Sequence, residues 1–169
     1  MSKKYKRLTK QYDKIAPGKE TSATMLELAQ GLVAYVDKNN NYIQKRYKTV
    51  VSIDNQAVNY AVKVLFLVRQ IISFDDKADK QAECRLCHTY IDTMLDLYRI
   101  MFEHEIVKDR HFNPVLSRAT KLSDLCIGLA MYHQRAERAA QNINDNKKTS
   151  LDSESIEGKD AKEKSHQAK

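Results

Sequence analysis

Apolar residues recur along this chain at intervals of three and four, the repeat that gathers them on one face of an α-helix. Met25, Leu28, Ala29, Leu32, Val33, Tyr35 and Val36 follow it to Lys38, with Thr21 or Ser22 as the N-cap. Asn39-Asn40-Asn41 then offers residues that tolerate turn conformations. Val50, Ile53, Asp54, Ala57, Ala61, Val64, Val68, Ile71 and Ile72 trace a second seam, in which Asp54 is the one polar member. Asp75-Asp76-Lys77 interrupts the pattern, and Ala82, Ile91, Met94, Leu95, Tyr98, Met101, Phe102 and Ile106 mark a third helix. Asn113-Pro114 predicts the start of a fourth, because asparagine caps and proline at the first helical position gives up only an amide hydrogen that lacks a partner anyway. Its stripe is Val115, Ala119, Leu122, Cys126, Leu129 and His133, running to about Asn142.

The flanks read differently. Residues 1–19 interleave basic groups with Tyr5, Leu8, Tyr12 and Ile15, a spacing for a short amphipathic helix that Pro17-Gly18 ends. Residues 143–169 carry only Leu151 and Ile156 as large apolar groups, too little burial to offset ordering entropy, so disorder is expected. Four amphipathic helices with short connections predict an all-α fold: an antiparallel up-down four-helix bundle at residues 20–142, with a basic N-terminal arm at 1–19 and a disordered polar tail at 143–169.

Composition sharpens this. Four glycines, two prolines and no tryptophan in 169 residues leave an all-β fold without its turn punctuation. No apolar run approaches the roughly 20 residues that span a bilayer, and no apolar signal core follows MSKKYKRLTK, so a cytoplasmic protein with no membrane partner is expected. Three cysteines, an odd number, are then expected as free thiols. Much of the net charge of +7 sits in the arm, where Lys3, Lys4, Lys6, Arg7, Lys10, Lys14 and Lys19 face Asp13 alone; residues 20–142 carry 16 basic against 15 acidic groups. A basic arm of this kind meets phosphate.

Candidate chemistry is sparse. Cys84-Arg85-Leu86-Cys87-His88 spells the C-x-x-C-H pattern of c-type haem attachment, but lies inside a helical repeat. Cys84, Cys87 and His88 could join one of His104, His111 or His133 around zinc, yet only one half of such a site is present. Cys126 reads as a small core residue. Asp92 and Asp96, at i and i+4, and Glu103, His104 and Glu105 read as solvated faces. An R-x4–6-H ribonuclease motif, a paired-carboxylate helix and a glycine-rich phosphate loop are not expected in usable form, so no catalytic residue and no cofactor is assigned. Basic groups are the remaining signal: Lys45, Arg46 and Lys48 interleaved with Tyr42 and Tyr47, Arg118 and Lys121 sharing a face, and Arg135 and Arg138 beyond them.

Three stretches then resemble the accessory variability determinant (Avd) family, the four-helix-bundle partners of diversity-generating retroelement reverse transcriptases. They are Tyr42-Ile43-Gln44-Lys45-Arg46-Tyr47 leading to Ile72, Ile91 to Arg99, and Leu122 to Tyr132, and the resemblance covers about residues 24–134. Cys126 stands where the family has glycine, Ile127 where it has arginine and Tyr132 where it has tryptophan. The resemblance implies a non-enzymatic homo-oligomer, typically a pentamer, that binds the reverse transcriptase and RNA or DNA during mutagenic cDNA synthesis. It makes Lys45, Arg46, Lys48, Arg118, Lys121, Arg135 and Arg138 contact groups, each neutralising a phosphate or a partner carboxylate.

Overall fold

The computed structural model describes residue 15 and residues 17–46, 51–73 and 77–164, with side chains placed at 15, 17–43, 52–73 and 79–144. It contains four helices: α1 (Lys19–Arg46), α2 (Val51–Ser73), α3 (Lys77–Glu103) and α4 (Asp109–Lys164). The chain divides into two units, Met1–His133 and Gln134–Lys169.

The first unit holds an up-down four-helix bundle. In every helix a seam of buried positions steps by three and four. They are Met25, Ala29, Leu32, Val36, Asn39 and Ile43 in α1, and Asp54, Ala57, Ala61, Val64, Val68 and Ile71 in α2. Cys84, Cys87, Ile91, Met94, Tyr98 and Met101 follow in α3, and Val115, Ala119, Leu122, Cys126, Leu129 and His133 in α4. A 3–4 alternation keeps one stripe on a common axis, as bundle packing requires. α1 packs on α2 and α2 on α3. His88 to Ser123 joins α3 to α4, and Arg118 over Tyr35 joins α4 to α1.

Both ends of α1 and the start of α4 differ from the sequence expectation, each for a local reason. α1 starts at Lys19, where Ser22 N–H donates to Gly18 O at 3.0 Å, and it runs through Asn39-Asn40-Asn41 instead of turning there. Asn39 and Ile43 continue the seam from Val36, and Asn41 Nδ2 donates to Asp37 O within the helix. α4 starts at Asp109, not at Asn113-Pro114. The Lys108 carbonyl accepts from His111 and Phe112 N–H, and Asp109 places an acid at the positive end of the helix dipole. Pro114 lies inside that helix, where it forfeits one backbone bond. Phe112 stacked on Phe102, centroids 4.7 Å apart, holds this early turn against the bundle.

α3 ends in a Schellman motif, leaving Ile106 outside the helix. Ile106 N–H reaches Met101 O, Glu105 N–H reaches Phe102 O, and Glu105 takes the left-handed conformation at φ 57°. In the second unit the α4 backbone is helical to Lys164, where disorder was expected from residue 143. Residues 137–144 are nevertheless all exposed, and the run Glu137-Arg138-Ala139-Ala140-Gln141 there is helix-favouring without a core to join.

Candidate nucleic-acid interface

The α1–α4 face of the first unit carries two stacked pairs. Nearest the α1 C-terminus, Asn39 is buried in the bundle end, its Nδ2 donating to Tyr98 Oη at 3.4 Å and to His111 O at 3.3 Å. His111 Nδ1 lies 2.9 Å from Asn39 Oδ1, and Arg110 Nε donates to His111 Nε2 at 3.0 Å. These partners fix the ring as neutral with its proton on Nδ1. Burial, then Arg110, Lys38 and Lys108, hold its pKa below the usual histidine range. The imidazole lies flat on Tyr42, centroids 5.4 Å apart and planes 19° apart.

Seven residues along α4, about 10 Å of helix rise, the Arg118 guanidinium carbon sits 4.2 Å from the centroid of Tyr35. Gly31 makes this possible. A Cβ there would stand 3.0 Å from Arg118 Nε, so the absent side chain lets the arginine cross α1 close to the backbone. Arg118 Nη1 also donates to Pro114 O at 3.4 Å, and among the described residues no carboxylate lies within salt-bridge distance of it. The result is a guanidinium held over an aromatic ring with most of its donors uncommitted, an arrangement suited to phosphate and to base stacking. Lys121 is exposed one turn further on.

Lys45 and Arg46 form the last turn of α1, which places them at the same bundle end as His111, but their side chains lie outside the described residues. Lys48, Tyr47 and the arm residues Lys3, Lys4, Lys6, Arg7 and Lys10 also lie outside them. Arg135 and Arg138 are exposed in the second unit. Sequence reasoning missed Tyr35, Lys38, Lys108 and Arg110. Tyr35, Lys38 and Tyr42 share one α1 face at i, i+3 and i+7, a signal hidden once a turn is drawn at Asn39.

The metal candidates do not converge. Cys84 and Cys87 are fully buried on α3 and meet Cys126 of α4 in the core. Burial first, and the neighbouring Cys87, push the Cys84 thiol up to about 12, and Cys126 is raised as well. His88 points elsewhere: Nδ1 lies 2.6 Å from Ser123 Oγ and Nε2 3.2 Å from Asp92 Oδ2. Among the described residues no group of three or more His, Cys, Asp or Glu is placed to hold a metal ion.

Ser123, His88 and Asp92 meet in the order of a hydrolytic relay, but Ser123 is buried in mid-helix, where the backbone N–H groups are committed to α4 and none is free to stabilise an oxyanion. The trio ties α3 to α4. Arg99 and His104 do stand at R-x4-H spacing, a match the sequence reading passed over. Arg99 is paired with Asp96 at 2.7 Å, and His104 is exposed just past α3.

Fold and face together define a four-helix bundle with a cation–aromatic surface on α1 and α4. No helix among the described residues is long and apolar enough to cross a membrane. No family model, no curated protein and no solved structure matches the chain.

Proposed function

We propose that this chain is a non-catalytic accessory protein that binds RNA or DNA through its α1–α4 face and, as the resemblance to the Avd family suggests, partners a reverse transcriptase in mutagenic cDNA synthesis. The observation that carries the nucleic-acid part is Arg118 held on Tyr35 across Gly31. Fixing a long cationic side chain before binding lowers the entropy lost on contact with phosphate. Lys38, Lys108 and Arg110 around His111 extend the positive field along the face. The arm at residues 1–19 adds sequence-independent attraction.

The test is binding of single-stranded RNA and DNA across a salt series. It compares the intact protein, a variant with Lys3, Lys4, Lys6, Arg7 and Lys10 neutralised, which keeps Ile15 in its place against Gly128, and a Lys45, Arg46, Lys48 neutralised variant. Affinity that falls steeply with salt, and further with each change, supports phosphate contacts. Flat binding contradicts them. RNA cleaved during the assay, with loss of cleavage in Arg99→Ala and His104→Ala, would contradict the non-catalytic reading. Retention of a reverse transcriptase on the immobilised protein tests the partner.

A further inference from the structure

His111 is an imidazole set among cations. Arg110 precedes it on α4, Lys108 ends the α3–α4 connection and Lys38 stands near it on α1, all three exposed. Among the described residues no carboxylate lies within salt-bridge distance of any of them. α1 also presents Asn39 and Tyr42 to the ring, and α3 meets it through Tyr98, on the Asn39 amide. Glu105 and Asp109 line a hollow with Lys108 that His111 does not line. Three cations around one half-buried ring make an excess of positive charge that an anion offsets.

The hydrogen bonds decide where a second proton can go. Asn39 Nδ2 is committed to Tyr98 Oη and the His111 carbonyl, so Asn39 Oδ1 accepts and His111 Nδ1 donates. Nε2 is then the acceptor for Arg110 Nε, in a bond that lies exposed to solvent. Protonation at Nε2 and the Arg110 bond exclude one another, because both use the same lone pair. In the free protein the balance favours Arg110: burial, then Arg110, Lys38 and Lys108, hold the ring below the usual histidine pKa.

A phosphate group at the cluster reverses that balance. It offers Arg110 a charged acceptor stronger than an imidazole, offsets the repulsion that keeps the ring neutral, and accepts from Nε2–H. The ring need not move. Asn39 holds Nδ1, and Tyr42 stacks on the face of the ring, where a positive imidazole is also favoured.

We infer that Lys38, Lys108, Arg110 and His111 form a proton-linked subsite for a phosphodiester. The bound phosphate draws Arg110 off Nε2, and His111 takes a proton from solvent to become a further cationic ligand. The inference rests on the nucleic-acid reading of this face and adds its regulation by pH.

Two measurements on the full chain test it. Fluorescence anisotropy with a single-stranded RNA oligonucleotide, at fixed ionic strength from about pH 8 to 5.5, is expected to show affinity rising as pH falls, by up to about tenfold per pH unit. His111→Gln loses most of that rise, while Asp54→Asn, which removes another group titrating at about 6, keeps it. Histidine-ring NMR on the unmutated chain, free of any folding defect, is expected to show the His111 titration moved to higher pH by RNA. Equal pH dependence in parent and His111→Gln, a rise that Asp54→Asn removes instead, or an unmoved His111 titration with RNA bound overturns the inference and leaves the nucleic-acid reading standing. Absence of RNA binding at every pH sinks both. Inorganic phosphate in place of RNA separates the two sources of the anion: a shift as large as that with RNA, at equal phosphate concentration, overturns the assignment to a phosphodiester.

Discussion

Ile15 fills the hollow that Gly128 leaves in α4. A Cβ at position 128 would stand 2.5 Å from Ile15 Cδ1 and 2.8 Å from its Cβ, closer than packed atoms approach. The contact anchors the chain just before α1 onto the last helix of the bundle. Gly128→Ala therefore destabilises despite alanine's better helix propensity of about 1 kcal/mol, because overpacking a filled site costs roughly 1–3 kcal/mol. Urea denaturation reads the difference. Adding Ile15→Ala to Gly128→Ala recovers part of the loss, and a purely additive pair would disprove the contact.

Asp54 is fully buried in the α2 seam, and neither of its carboxylate oxygens has a hydrogen-bond partner among the described residues. Burial pushes its pKa up to about 6 from the usual 3.8, although its place in the first turn of α2 favours the anion. The folded protein thus holds its proton more tightly than the unfolded chain. The stability this gives is fully present below about pH 3.8 and is lost as pH rises through about 6. Asp54→Asn is expected to be more stable at pH 7 by up to about 3 kcal/mol. It also flattens the pH dependence of the urea midpoint between pH 4 and 7. A variant less stable than the parent at pH 7 would show that the carboxylate has a partner.

Glu105 closes α3 at φ 57°, a conformation that costs a non-glycine residue roughly 1–2 kcal/mol. Glycine at this position keeps both Schellman bonds and sheds the strain, offset by the extra entropy of a glycine in the unfolded chain. Glu105→Gly is expected to raise stability by about 0.5–1 kcal/mol, read as a higher thermal midpoint. A lower midpoint would mean that the glutamate side chain contributes more than the backbone strain costs.

Sequence periodicity carried most of the fold, because each buried stripe is written in a 3–4 alternation that needs no tertiary knowledge. Asn39 shows where it stops. An asparagine triplet has the chemistry of a turn, and only the facing Tyr98 and His111 make it a buried helical position. Pro114 misled for the same reason, since its preference for a helix start is weaker than the stacking of Phe112 on Phe102. Asp54 was visible as the polar member of its seam, although its lack of partners was not. On the candidate interface, Arg118 and Lys121 were legible as charges. The Tyr35 platform and the Gly31 gap were not, because they face Arg118 from another helix and no local spacing encodes the meeting.

The central claim is that Arg118 on Tyr35 forms a prepared nucleic-acid contact, and a double-mutant cycle on single-stranded RNA binding tests it most directly. Fluorescence anisotropy across a salt series, with Tyr35→Ala, Arg118→Ala and the double variant, is expected to show losses of about 1–3 kcal/mol for each single change. The double loss should fall short of their sum, since the two residues act as one unit. Arg118→Ala also lowers the salt slope by about 1. Affinity and salt slope unchanged in Arg118→Ala would contradict the account.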